Sequence, residues 1–215
     1  MVQAGTLFGY LAAFVTIVLA LALSDLAMSL HRLIRARRTV RWHPLPLVAA
    51  FWVLLVLLTS FFGLWSLTEL SRVTYNRLFW IVLPQVCYFL AAAAVLPDEV
   101  EPDTHLLKFY LAERHYLFAV LALGFVFEFV DDLLREFDAL TASPPLTFAP
   151  YFVLNAVILA TFAVMWASAR RWVHWVGFGV LFTTALLGFV DWEIRGLPAV
   201  EAGTASVPVV ASGGR

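Results

Sequence analysis

The chain has 215 residues, a formal net charge of −1 with neutral histidines, 62% hydrophobic residues and only 13% charged ones. Soluble domains carry about 45–50% apolar and about 25% charged residues, so an ordinary soluble globule is excluded. The near-zero charge offers no field to attract nucleic acid.

The apolar residues fall in blocks of roughly 17–24, each able to cross a hydrocarbon core of about 30 Å as a helix rising about 1.5 Å per residue. Lipid cannot hydrogen-bond exposed backbone, so such blocks are expected to be helices. The polar-apolar alternation of barrel strands is missing. The expected fold is all-α, a polytopic transmembrane helical bundle of about six spans over residues 1–195.

Span one runs from about Leu7 to Leu30. Residues 7–23 with Ala20-Leu21-Ala22 resemble a signal peptide, but no basic residue precedes Arg32, so the block reads as a span. It ends in a loop with Arg32, Arg35, Arg37, Arg38 and Arg41. Span two, about Leu45 to Leu67, opens at Pro44 and Pro46 and holds no charge. Span three, about Leu78 to Pro97, carries Pro84-Gln85, where a proline break would free a carbonyl for an ion. The next loop begins with acidic Asp98, Glu99, Glu101 and Asp103. Its second half predicts a short interfacial helix, capped by Asp103 or Thr104, that leads into span four. Span four covers about Tyr116 to Leu134, span five about Phe148 to Ser168, and span six about Trp172 to Val190. Residues 196–215 have the composition of a disordered tail.

Orientation follows from basic residues, which gather on the cytoplasmic side. The first, third and fifth loops hold nine of the 14 Lys and Arg residues, which places both termini outside the cytoplasm. The preference for Arg over Lys, with much Ala, Leu and Val, points to a bacterial inner membrane. Trp42, Trp65, Tyr75, Trp80, Tyr116, Trp172, Trp175 and Trp192 near span ends suit the headgroup region.

Acidic residues at Asp25 and Asp131-Asp132, and at Asp98-Glu99 and Asp191-Glu193, recur in the two halves. This raises a 3+3 inverted repeat as one reading of the topology.

Charge inside a span costs about 2.5–3.5 kcal/mol on insertion scales and calls for a reason. Span four is the strongest case. Glu128, Asp131 or Asp132, and Arg135 share a helical face at offsets of three, four and seven, with Arg135 a partner for either aspartate. Glu128 lies deepest, between Phe127 and Phe129, where the cost of its charge suits proton exchange or cation binding. Asp25 is expected to pair with Arg32 or with another helix. The ion- or proton-binding candidates are thus Glu128, Asp132, Asp131, Asp25 and Gln85. Asn155 is expected to hydrogen-bond a neighbouring helix, and His174 to sit at the interface. Gly177, Gly179, Gly188 and the run Ala91–Ala94 suit close helix packing.

No zinc-protease, paired-cysteine or phosphate-loop motif is present, and the lone Cys87 makes no intrachain disulfide. The five histidines show no metal-ligand spacing. A retinal Schiff base fails, because the only lysine, Lys108, lies in a loop. No cofactor is indicated.

The function expected is a small ion- or proton-coupled transporter or channel using intramembrane carboxylates. The alternative is a non-catalytic scaffold or sensor subunit, and a membrane-embedded enzyme ranks behind both. Expected partners are the bilayer, anionic lipid headgroups at Arg32, Arg35, Arg37, Arg38 and Arg41, and a second copy or another membrane protein.

Overall fold

The computed structural model describes residues 4–63, 75–101, 103–142 and 145–189, with side chains described over 9–63, 78–101, 103–134 and 152–187. The disordered-tail expectation for 196–215 and the pairing expected of Arg135 lie outside the described residues. Six helices follow in order: α1 (Ala4–Arg35), α2 (Pro44–Gly63), α3 (Tyr75–Val95), α4 (Leu106–Ala142), α5 (Pro145–Ala167) and α6 (Arg171–Phe189).

Three segments, Gly9–Arg35, Pro44–Gly63 and Leu78–Val95, are long and apolar enough to cross a membrane. The chain is therefore an all-helical membrane protein. Its surface supports this independently, because large apolar side chains such as Tyr10, Phe14, Ile17, Phe51, Leu186 and Leu187 point outward. A soluble protein would bury such a continuous apolar exterior, whereas lipid tails leave it unpenalised. On α1 the buried stripe is Leu11, Val15, Leu19, Ala22, Leu26 and Leu33. Its spacing of three, four and seven is that of one helical face.

Helix α3 lies at the centre, packed against α1, α2 and α4, while α4 continues to α5 and α5 to α6. Small residues set the closest approaches. A Cβ on Gly124 of α4 would stand 2.6 Å from Tyr88 Cε1 and 3.1 Å from Cys87 Cβ. A Cβ on Gly177 would overlap the Met165 thioether between α5 and α6. Gly179 faces open space instead, and the surroundings of Gly188 fall outside the described residues. Of the alanine run, Ala91 and Ala92 are fully enclosed.

The first and third loops are clipped together. Backbone bonds run from Arg41 N to Thr104 O, Asp103 N to Thr39 O, and Leu106 N to Arg41 O, at 3.0, 3.0 and 3.3 Å. Asp103 takes a left-handed φ of 65°, a conformation that aspartate tolerates better than most residues. Arg32 Nη1 donates to the Asp98 carbonyl at 2.9 Å and pairs with its carboxylate at 3.5 Å, while Ser29 Oγ donates to the same carboxylate at 3.1 Å. Arg41 lies 3.7 Å from the Asp103 carboxylate.

Several expectations are corrected by this arrangement. No separate interfacial helix precedes the fourth span, because α4 is continuous from Leu106 to Ala142. Its first N–H is met by the Arg41 carbonyl, and the side chains of Asp103 and Thr104 are engaged elsewhere. Arg32 turns to Asp98 on α3's exit and not to Asp25. Helix α3 runs through Pro84 unbroken. The two halves also pack differently. Helices α1 and α3 lie side by side, whereas α4 and α6 meet through side chains without close backbone approach among the described residues.

Candidate functional site

Four helices line a partly open cavity of about 260 Å³. Each contributes one stripe. Trp52, Val56, Thr59 and Ser60 come from α2; Phe125, Glu128, Phe129 and Asp132 from α4; Asn155 and Ile158 from α5; Thr184 and Ala185 from α6. The α4 positions recur at three, four and seven, so Glu128 and Asp132 sit one above the other one turn apart. On α2 the lining starts eight residues past Pro44 and ends at residue 60. At about 1.5 Å per residue that is roughly 12–24 Å into the helix, the depth of the hydrocarbon.

Glu128 is held from behind. Tyr88 of α3, fully buried, donates its phenol to Glu128 Oε2 at 2.5 Å. That length is at the short end for an O–H bonded to a charged oxygen. The Tyr88 ring is fixed by Phe125, edge-on at a centroid distance of 5.9 Å, and reaches Glu128 because Gly124, one turn earlier, leaves it room.

The hydroxyls around the cavity have a defined polarity. Thr59 Oγ1 donates to Leu55 O and Thr184 Oγ1 to Leu181 O, each at 2.8 Å. Their protons are directed into their own helices, so toward the cavity these oxygens act as acceptors. With two carboxylates beside them, the polar lining is rich in acceptors. The Trp52 indole N–H is covered by protein, out of reach of the cavity, and has no hydrogen-bond partner. Its ring packs edge-on against Phe182 at 5.4 Å.

The sequence candidates are distributed as follows. Glu128 and Asp132 meet in the cavity. Asp131 is buried but does not line it. Asp25 lies on α1, away from the cavity, with Oδ2 buried and unpartnered. Gln85 is buried on α3, one turn before Tyr88, and its Oε1 has no partner. Asn155 lines the cavity. Trp52, Tyr88, Thr59, Ser60 and Thr184 were not signalled as site residues. The polar pairs Thr59-Ser60 and Thr183-Thr184 inside apolar blocks were available as a signal, while nothing local marks Tyr88.

His174, expected at the interface, is fully enclosed by protein. Its Nε2 lies 2.8 Å from the Ser168 carbonyl, and its Nδ1 lies 2.8 Å from Tyr110 Oη. A carbonyl only accepts, so Nε2 carries the proton and Nδ1 accepts from Tyr110. Burial pushes the Tyr110 phenol far above its ordinary range. This pair joins the start of α4 to α6 and is fully used in doing so. Among the described residues, no three His, Cys, Asp or Glu side chains gather as a metal site would need.

Comparisons with protein-family models, with curated proteins and with solved structures find no match. The functional reading therefore rests on the cavity.

Proposed function

We propose that the chain is a small six-span transporter or channel that moves a proton or cation through the cavity beside Glu128 and Asp132. The observation that carries this reading is the pair of carboxylates one turn apart on α4, lining a cavity at hydrocarbon depth with Tyr88 holding one of them. Carboxylates at that depth are costly, and those found there commonly mark an ion pathway or a proton relay. Exposed Val153, Val157 and Val164 on α5 and Val176, Leu186 and Leu187 on α6 support lipid contact there too, and hence six spans. The inverted repeat gains no support from the packing of the halves and is not part of the proposal. The arginine distribution favours termini on the non-cytoplasmic face of a bacterial inner membrane.

Purified protein in liposomes with an internal pH dye tests this. A proton flux driven by a pH or cation gradient is expected, with Glu128→Gln reducing it to the level of empty liposomes. Full flux in that variant would refute the role of Glu128.

A second reading, a scaffold or sensor subunit, is favoured by one observation. Arg32 and Arg41 are engaged by Asp98 and Asp103, whereas Arg35, Arg37 and Arg38 are exposed beside Ile34 and Trp42. Three such arginines would attract anionic headgroups at about 1 kcal/mol each. Loss of co-purifying anionic lipid or of a partner protein on changing all three to Gln, with no flux in the wild type, would favour it over transport.

A further inference from the structure

The chemistry of the cavity narrows what it holds. Resting on the transport reading above, we propose that the occupant is a small primary ammonium compound, and not an inorganic cation.

Size is the first argument. The 260 Å³ of the cavity lies close to the lower end for small-molecule pockets. A dehydrated Na⁺ or Ca²⁺ needs a tight shell of oxygens; for Ca²⁺ these number about six to eight at about 2.3–2.6 Å. The lining is instead mostly aromatic and aliphatic, with Trp52, Phe125, Phe129 and Ile158 among its walls. An alkyl body fits such walls.

Charge is the second. Glu128 and Asp132 place two carboxylates on one wall, which a cationic group complements. The third argument is hydrogen-bond sense. Thr59 and Thr184 have spent their protons on Leu55 and Leu181, so they offer oxygens to N–H donors. An ammonium has three such donors to place.

The test is calorimetric titration of the full chain in lipid nanodiscs with aminobutanol and with butanediol, which replaces the ammonium by a hydroxyl. Empty nanodiscs and NaCl at matched ionic strength serve as controls. Aminobutanol should bind at least tenfold tighter than butanediol, since one charge-assisted hydrogen bond is worth about 1.5–3 kcal/mol. Glu128→Gln should weaken aminobutanol about tenfold or more and leave butanediol unchanged. Thermal melts of the Glu128→Gln and Asp132→Asn variants establish that they fold.

Equal affinity for the two probes, no binding of aminobutanol, or binding indifferent to Glu128→Gln and Asp132→Asn would each overturn the assignment. Glu128-dependent proton flux without amine binding would sink this inference and spare the transport reading. Glu128-dependent amine binding without any flux would do the reverse.

Discussion

Gly124→Ala puts the geometry around Glu128 to a direct test. The added methyl would stand 2.6 Å from Tyr88 Cε1 and 3.1 Å from both Tyr88 Cδ1 and Cys87 Cβ. Apolar carbons rest at about 3.5–4.0 Å, so the ring must give way by about 1 Å. It is enclosed on all sides, and its phenol bond to Glu128 is only 2.5 Å long, so a shift of that size breaks the bond or parts α3 from α4. Overpacking costs about 1–3 kcal/mol, and losing a bond to a charged acceptor about 1.5–3 kcal/mol. Alanine returns up to about 1 kcal/mol over glycine in a helix. The net destabilisation expected is about 2–4 kcal/mol. Unfolding in detergent gives the stability, and thiol labelling of Cys87, the only cysteine, reports on the helix contact and should accelerate. Tyr88→Phe should cost about 1.5–3 kcal/mol alone but little in the Gly124→Ala background. Equal costs in both backgrounds, or a Gly124→Ala protein as stable as wild type, would refute the reasoning.

Other consequences are open to the same measurements. Gly177→Ala should destabilise by about 1–3 kcal/mol through its clash with Met165, whereas Gly179→Ala, facing open space, should be neutral or mildly stabilising in an unfolding assay. Asp25→Leu removes a buried carboxylate oxygen that lacks a partner; stability equal to or above wild type is expected, and a marked loss would refute this. Asp98→Asn weakens an exposed pair, so a loss below about 1 kcal/mol that shrinks further at high salt is expected. Tyr110 keeps its proton in the folded protein beyond the ordinary range, while the unfolded chain releases it near pH 10. The unfolded state therefore binds fewer protons there, and stability falls as pH rises above about 10. Tyr110→Phe should remove that part of the alkaline slope while lowering stability at neutral pH by the lost His174 bond.

The sequence alone established that the chain is helical and membrane-embedded, because backbone in lipid has few ways to satisfy its hydrogen bonds, and uncharged blocks of this length state the solution directly. It also singled out Glu128 and Asp132, since charge at depth is costly enough to be conspicuous in an apolar block. Hydropathy could not say which face of each helix is inside. Lipid and protein core are equally apolar, so Leu19 and Leu21 look alike in sequence although one is buried and the other exposed. For the same reason Tyr88 and Trp52 gave no warning that they surround the carboxylates, and Arg32 looked as ready to pair with Asp25 as with Asp98, 66 residues away. Those choices were made by tertiary packing, where a glycine opposite a tyrosine decides how close two helices come and therefore which side chains share a cavity.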